Sequence, residues 1–220
     1  MTASLPSEAR ARDIAMMRRC IALAGAAARR GEFPFAALIT DGQGALVVEV
    51  ANQVARSGDV TRHAELVAVS EAQRQLGRKN LSGCTLYTNV EPCPMCSFPI
   101  RETRISRVVY AISSPIMGGY SRWNVLRDTQ ISDAMPEAFG PVPEVVAGLC
   151  QAEAEQAWFR SKPLAWMVIR HRGCFGDAAD PEVACDTMPA LAARGGWLRR
   201  LLTLHHYDRP KWLRRKYAPR

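Results

Sequence analysis

The sequence predicts a layered α/β fold, and three observations support this prediction. Short apolar runs alternate with longer segments of helical periodicity through most of the chain. A turn sequence, Asp41-Gly42-Gln43-Gly44, joins two of the predicted strands as a hairpin. The later strands alternate with helices, which is typical of a sheet that helices cover.

The first predicted element is an amphipathic helix over residues 7–30, ended by Gly31. Its Arg18-Arg19 pair and the following apolar run with Ala24-Gly25-Ala26 imitate a secretory signal. The apolar residues recur at helical spacing, however, and arginines lie on another face, which favours a helix of the fold. No run approaches the roughly 18 apolar residues of a membrane span, so we expect none.

The next elements lead to the centre of the chain. Residues 33–39 lead into a strand, and residues 45–51 form its hairpin partner. After a loop over 53–60, a helix carries His63 and runs to about residue 76. A strand at 84–88, a helix with Cys93 and Cys96, and a strand at 108–112 follow. Pro99 should bend the Cys93 helix or break it locally.

The remainder is less regular. Residues 115–128 carry glycines with interleaved aromatic and polar residues, which suits either a loop that closes over a flat ligand or a plain surface loop. Residues 133–143 contain three prolines and predict an irregular insertion. A short strand at 144–147 and a helix at 151–161 follow, and the apolar run 164–169 fits either element. We expect one domain over 7–162 and an extension over 163–220.

The chemistry of the chain is concentrated in two short motifs. His63-Ala64-Glu65 precedes Pro92-Cys93-Pro94-Met95-Cys96 by about thirty residues. A His-x-Glu followed by Pro-Cys-x-x-Cys is the signature of the zinc nucleobase deaminases. Thiolate and imidazole are good zinc ligands, and a catalytic zinc keeps one position for water. His63, Cys93 and Cys96 are therefore the predicted zinc ligands, and Glu65 the predicted acid and base for that water.

Local sequence explains how both motifs could face one ion. Two cysteines three residues apart lie on one helix face. Pro92 suits the first turn of a helix, where a missing N–H does no harm. Asp59 and Thr61 are good N-caps, so His63 should also lie in a first helical turn. Thiolates at the positive end of a helix are stabilised in their charged form.

Two other interpretations of the cysteines remain open. Cys93 and Cys96 could be a redox pair, or half of a structural zinc site with Cys84 as the fourth ligand. A structural site has no use for an acid two residues after its histidine, which favours the catalytic interpretation. Seven cysteines without a disulfide pattern favour a reducing compartment, so we expect a cytoplasmic protein.

The net charge of +8 lies entirely at the end of the chain. Residues 194–220 contain nine Lys/Arg and one acid, which leaves twenty of each in residues 1–193. An apolar and basic pattern over 197–207, followed by more basic and aromatic residues, predicts an amphipathic tail. Such a tail can bind nucleic acid or an anionic membrane surface, or it can dock on the body or on a partner subunit.

With these motifs the chain resembles the cytidine-deaminase-like superfamily, and within it the bacterial tRNA adenosine deaminases and guanine deaminases. The resemblance covers about residues 15–162. It implies a three-layer α-β-α sandwich around a five-stranded mixed sheet, and a homodimer. It also implies that Asn52 binds the substrate. Ala36 stands where the family usually has glycine, and Ser97-Phe98-Pro99 replace the usual small residues. The other candidate substrate-binding residues are Phe35, Ala64, Glu91, Tyr120 and Trp123.

Three functions follow from these features. The first is a hydrolytic deaminase of a free base or nucleoside, with purine-like substrates favoured. The electrically balanced body fits such a small, uncharged substrate. The second is a tRNA adenosine deaminase that uses the basic tail to hold RNA. The third is a zinc protein without enzymatic activity, which requires a fourth protein ligand. Cytosine or cytidine remains a further alternative substrate.

Overall fold

Residues 7–176 are described by a computed structural model, and they form a five-stranded sheet with helices on both faces. The sheet order is β2-β1-β3-β4-β5; β1 is antiparallel to β2 and β3, and the β3–β4 and β4–β5 pairs are parallel. The elements in chain order are α1 (Ser7–Arg29), β1 (Ala36–Thr40), β2 (Leu46–Ala51), α2 (Val54–Ser57), α3 (Ala64–Leu76), β3 (Thr85–Val90), α4 (Pro94–Glu102), β4 (Arg107–Ile112), α5 (Thr129–Ala134), β5 (Glu144–Val146), α6 (Gln151–Ser161) and α7 (Pro163–His171). The mixed five-stranded sheet is confirmed.

Two apolar clusters separate the sheet from its two helical layers. Alternate residues of a strand face opposite sides of a sheet, and β1 shows this directly. Leu38 packs in a cluster with Met17 of α1 and Trp158 of α6. Ile39 packs in a second cluster with residues of α3 and with Ile100 of α4. The three-layer α-β-α arrangement is therefore confirmed.

The predicted hairpin turn between β1 and β2 is confirmed. The Asp41 carboxylate accepts hydrogen bonds from the backbone N–H groups of Gln43 (2.9 Å) and Ala45 (2.8 Å). Gly44 has a φ of 82°, a conformation that favours glycine. The turn closes the antiparallel pair, so the chain returns to the sheet with its apolar residues in register.

A buried polar network fastens α1 to the sheet. The Asp13 carboxylate accepts two hydrogen bonds of 2.8 Å from the guanidinium of Arg107 and one of 2.7 Å from the hydroxyl of Tyr87. Burial acts to raise the pKa of Asp13, but the hydrogen bonds from Arg107 and Tyr87 outweigh it and hold the pKa below its ordinary value. The network thus favours the charged form of a carboxylate in the interior.

Two short helices were not predicted from the sequence, and a third helix resolves a run that was ambiguous. The loop predicted over 53–60 contains α2, and α5 overlaps the first two residues of the predicted irregular insertion at 133–143. The ambiguous run 164–169 lies in α7, where Trp166 packs against Trp158 with ring centroids 6.2 Å apart. Phe175 joins the same cluster, so the packed body continues beyond residue 162. The predicted domain boundary at 162 stays a prediction.

Pro99 does not break α4, which runs through it to Glu102. One proline removes one intrahelical hydrogen bond, and the end of the helix is held by other contacts. The backbone N–H and the hydroxyl of Thr103 both donate to the Pro99 carbonyl, at 2.9 and 2.7 Å. Of the two expected effects of Pro99, the local break is wrong, and the bend stays a prediction. Pro94, not Pro92, occupies the first turn of this helix.

The basic segment at residues 194–220 lies outside the described residues. Within residues 7–176, no helix combines the length and the apolar character needed to cross a membrane.

Candidate metal centre

Two helix starts converge on one point beside the sheet. His63 is the N-cap of α3, and Cys93 is the N-cap of α4. His63 therefore precedes its helix and does not lie in the first turn, which corrects the prediction. Asp59 accepts hydrogen bonds from the backbone N–H and the hydroxyl of Thr61, so these two residues form a turn before the helix. Both helices direct their positive ends at the same place.

The three predicted ligands lie together with the spacing that zinc requires. The Sγ atoms of Cys93 and Cys96 are 3.6 Å apart. The Nδ1 atom of His63 lies 3.7 Å from Sγ of Cys93 and 3.5 Å from Sγ of Cys96. Two sulfurs each about 2.3 Å from a tetrahedral zinc would be about 3.8 Å apart. The donor set and its spacing therefore fit zinc.

Among residues 7–176, one group of three potential metal ligands has its ligand atoms close together. It consists of His63, Cys93 and Cys96. Cys84 lies in the apolar cluster that Ile39 forms with α3 and α4. Its sulfur is 4.0 Å from Nη2 of Arg78. The structural-zinc interpretation needed Cys84 as a fourth ligand. Its position removes that support and agrees with a three-ligand catalytic site.

The Cys93 sulfur is held as a thiolate. The Cys96 thiol and the imidazole of His63 both face it. The hydrogen bond from Cys96 lowers the pKa of Cys93 to about 4, against the opposing effect of burial. Thiolate is the form of cysteine that binds metal, so this ligand is prepared for an ion at neutral pH.

Glu65 lies beside the ligands on the first turn of α3. It is buried, its Oε2 atom lies 3.6 Å from Sγ of Cys96, and its Oε1 atom accepts a long hydrogen bond of 3.4 Å from the Thr88 hydroxyl. Burial, with the charge of Cys93 adding to it, raises the pKa of Glu65 to about 7. A carboxyl with this pKa can both accept and return a proton near neutral pH.

Asn52 lies next to the segment that carries His63. The residue after it, Gln53, receives a hydrogen bond from Arg62 through its side chain (3.1 Å) and donates one to the Arg62 carbonyl (3.1 Å). The side chain of Asn52 donates to Oε2 of Glu32 at 3.0 Å. Ala64 is buried as the first residue of α3. Both placements suit the predicted substrate-binding roles, which stay predictions.

Glu91 performs a task that the sequence did not indicate. Its buried carboxylate accepts from the backbone N–H groups of Ser114 (2.7 Å), Tyr120 (2.9 Å) and Ser121 (2.7 Å), and from the Ser121 hydroxyl (2.8 Å). Both oxygens are thus occupied by the loop that follows β4. Glu91 holds this loop, and its predicted contact with the substrate stays a prediction.

The same loop lies directly on the Cys93 turn. The backbone N–H of Gly119 donates to the Pro92 carbonyl at 2.8 Å. A Cβ atom at Gly118 would overlap the Glu91 carboxylate, and one at Gly119 would overlap the Ser97 hydroxyl. Ser97 in turn donates to the Cys93 carbonyl at 2.9 Å. The two glycines therefore allow the loop to reach the metal ligands.

The predicted aromatic contacts of the substrate are divided between two places. Phe35 packs in an aromatic cluster, with its ring centroid 5.0 Å from Trp158 and 6.4 Å from Phe175. The ring thus packs against the core on the α1 side, and its predicted substrate contact stays a prediction. Tyr120 packs against Tyr110 at 6.5 Å. Trp123 is 56% exposed beneath the guanidinium of Arg122.

Sequence reasoning missed two residues of the site. Glu32 has no motif around it, and its carboxylate meets Asn52 only because the end of α1 lies beside the end of β2. Thr88 lies in β3 and reaches Glu65 from the sheet. β3 also contains Thr85 and Asn89, so no signal along the strand distinguished Thr88.

Comparison with known proteins agrees with this geometry. A family model described as the cytidine and deoxycytidylate deaminase zinc-binding region matches residues 10–112. The chain is 37% identical over 140 residues to a tRNA(Ile)-lysidine synthase of Deinococcus radiodurans. The aligned region covers 64% of this chain and 23% of that protein. It thus spans less than a quarter of the length of this relative.

Two further matches cover most of their partner. The chain is 34% identical over 116 residues to the tRNA-specific adenosine deaminase of Aquifex aeolicus, covering 52% of this chain and 76% of that protein. A solved structure from studies of A-to-I editing by tRNA:A34 deaminases superimposes with a TM-score of 0.57 at 28% identity, covering 64% and 96% of the two chains. The chain belongs to the cytidine and deoxycytidylate deaminase zinc-binding family.

Proposed function

We propose that the protein is a zinc-dependent hydrolytic deaminase that converts an amino group on a nucleobase or nucleoside to a carbonyl. The observation that supports this most directly is the position of the Glu65 carboxyl. This carboxyl lies 3.6 Å from the Cys96 sulfur. It is not one of the three groups whose ligand atoms converge on one point. His63, Cys93 and Cys96 would hold the ion, which supplies Lewis-acid activation of water when bound.

The residues of this chain account for the proton transfers of such a reaction. Water adds to the amino-bearing carbon, ammonia leaves, and a carbonyl remains. Glu65 takes a proton from the attacking water and returns it to the ring nitrogen. Glu65 then carries the second proton to the leaving amine, so that ammonia departs neutral. The Thr88 hydroxyl lies 3.4 Å from Oε1 of Glu65 and 3.0 Å from the Val90 carbonyl, so it places a polar group of the sheet beside the carboxyl.

A purine-like substrate is favoured, and two sources of that purine are proposed in order. A free base or nucleoside comes first, because residues 1–193 carry equal numbers of basic and acidic residues. Adenosine in tRNA comes second, since relatives are named as tRNA adenosine deaminases. The basic residues at 194–220 favour this second source. Cytosine or cytidine is the remaining alternative.

Ammonia release by the zinc-loaded protein tests these proposals. Guanine, adenine, adenosine, cytosine, cytidine and bulk tRNA would be assayed separately, with Glu65→Ala as the blank. Release from a small molecule and none from tRNA would support the first source. Release from tRNA alone would replace it with the second. Ammonia from none of the six would overturn the proposed activity.

We also propose a homodimer in the cytoplasm, in which the outer face of α4 forms the contact between subunits. Phe98 is 44% exposed on α4, near Met95, and its ring centroid lies 5.9 Å from that of Phe139. Exposed apolar clusters of this kind suit association. Phe98→Glu should give a monomer in analytical ultracentrifugation. Leu164→Glu, at a 75% exposed position on α7, is the matched control. A monomeric wild-type protein would contradict the proposal.

A further inference from the structure

We propose that Glu32 is a positioning residue that fixes the Asn52 carboxamide with its oxygen facing the substrate. This inference rests on the proposed function, because it assigns a substrate contact within a deaminase site. It adds the polarity of that contact. The site would offer a hydrogen-bond acceptor at Asn52, so the substrate must present an N–H at this point.

The contacts of Glu32 determine which atom of Asn52 it receives. Glu32 is 5% exposed. Its Oε1 atom accepts from the backbone N–H of Arg56 at 2.7 Å, and its Oε2 atom from the backbone N–H of Ala55 at 3.0 Å. Oε2 also receives Asn52 at 3.0 Å. Both oxygens act as acceptors, so Asn52 must turn its Nδ2 atom toward Glu32.

The opposite arm of the same amide is open to a ligand. Asn52 is 6% exposed, and its backbone N–H donates to the Phe35 carbonyl at 2.9 Å. No donor among residues 7–176 lies on its Oδ1 atom. In that range, two side-chain polar atoms are fully enclosed and lack a hydrogen-bond partner, namely Nε of Arg101 and Nε1 of Trp158. Oδ1 of Asn52 is not one of them, so this oxygen without a donor keeps access to solvent. Because a largely buried carbonyl oxygen needs a hydrogen-bond partner, a substrate N–H would fill this place.

Hydrogen bonds between neighbouring residues link the segment of Asn52 to the segment of His63. Gln53 and Arg62 share the two hydrogen bonds described above, and they flank Asn52 and His63 respectively. Glu32 also holds the first amides of α2, which lies between Asn52 and His63 in the chain. One carboxylate thus orients the amide and anchors the segment that leads to the metal ligand.

A swap of the pair tests the polarity of the contact. Glu32→Gln, Asn52→Ala, Asn52→Asp and the double variant Glu32→Gln/Asn52→Asp would be compared with wild type. Readouts are KM and kcat for ammonia release from guanine, adenine, adenosine, cytosine, cytidine and tRNA, with zinc content and thermal unfolding. In the double variant the new amide at position 32 donates to one oxygen of the new carboxylate at position 52. The other carboxylate oxygen remains an acceptor where Oδ1 was.

The expected pattern is specific. Each single variant should raise KM roughly tenfold and change kcat less. In Glu32→Gln and Asn52→Ala the substrate N–H loses its acceptor, and in Asn52→Asp the two carboxylates repel each other. The double variant should recover most of the KM lost in Glu32→Gln. Glu32→Gln and the double variant both lose the acceptor for the Ala55 N–H at position 32. The difference in KM between them therefore reports the side chain at position 52 alone. Zinc content should stay at the wild-type level in all of them.

The outcomes separate this inference from the proposed function. If wild type releases ammonia but the double variant remains as impaired as Glu32→Gln, the oxygen does not face the substrate and the inference is overturned. If Glu32→Gln does not fold, Asn52→Ala decides, since an unchanged KM for that variant overturns the inference as well. If wild type releases no ammonia from any probe, the proposed function fails and the inference fails with it.

Discussion

The Oε2 atom of Glu65 lies 3.6 Å from the Sγ atom of Cys96, and the two residues come from the first turns of different helices. The carboxyl is buried, and its pKa is raised to about 7. A group placed in this way lies beside the ligands without being required to hold the ion. Its role in turnover and its role in zinc binding can therefore be measured separately.

Removal of the Glu65 carboxyl should abolish turnover and leave zinc in place. We expect Glu65→Gln to lower kcat by about 10² to 10⁴, because an amide cannot shuttle the proton. Steady-state ammonia release and elemental analysis of the same samples measure both quantities. An unchanged kcat would remove Glu65 from the mechanism, and lost zinc would make it a ligand.

Substitution of the cysteines should separate ligands from core residues. Cys93→Ser and Cys96→Ser should each lose most of the bound zinc, since a hydroxyl is a poor zinc ligand compared with thiolate. Cys84→Ser is the matched control, and it should keep one zinc per chain because its sulfur lies elsewhere in the core. Zinc loss in Cys84→Ser would restore the structural-zinc interpretation.

The Asp13–Arg107 pair should make stability depend on pH in acid. The folded-state pKa of Asp13 is lower than its ordinary value of 3.8. Its contribution to the free energy of unfolding is therefore complete above about pH 4, and it is lost as pH falls through the folded-state pKa. Asp13→Asn should cost about 3 kcal/mol at pH 7. Urea unfolding of wild type and variant between pH 3 and pH 7 measures this.

The exposed pair of Arg19 and Glu49 gives the comparison for that experiment. Their side chains are 50% and 38% exposed, so the ion pair is screened by solvent and Glu49→Gln should change stability little at either pH. The difference between wild type and Asp13→Asn should shrink toward pH 3. A difference that is constant with pH would show that the variant acts through packing and not through charge.

The loop after β4 should not tolerate a side chain at Gly119. Gly119→Ala places a methyl on the Ser97 hydroxyl, so we expect lower stability and lower activity. Ser97→Ala should relieve the closest overlap and recover part of both. Gly25→Ala is the control, because Gly25 lies within α1 with open space around it. That change should stabilise by up to about 1 kcal/mol. Thermal unfolding with activity assays distinguishes these cases.

Local sequence was sufficient where each signal and its effect lie within a few residues. The helix predicted to run to about residue 76 ends at Leu76, where Gly77 adopts a left-handed conformation. The helix predicted at 151–161 is α6, and the turn at Asp41 is as expected. The ligand types at His63, Cys93 and Cys96 were also readable, because zinc chemistry restricts residue type and spacing.

Short or compensated elements were not readable in this way. α2 is four residues long, and two of its amides are held by Glu32 from a distant segment. α4 continues through Pro99 because Thr103 and the buried residues of α4 hold its end. For α2 a contact from a distant segment outweighs the local preference, and for α4 the contacts of the helix end outweigh the preference of proline.

The sequence by itself determined the family of chemistry, the residues of the candidate zinc site and most of the helices and strands, because periodicity and motif spacing are local properties. Only the tertiary structure decided which polar groups meet. It turned Glu91 toward the loop at Ser121, placed Phe35 in the aromatic core, and set Glu32 against Asn52. The partners of a buried carboxylate depend on how distant segments pack, and no pattern along the chain records that packing.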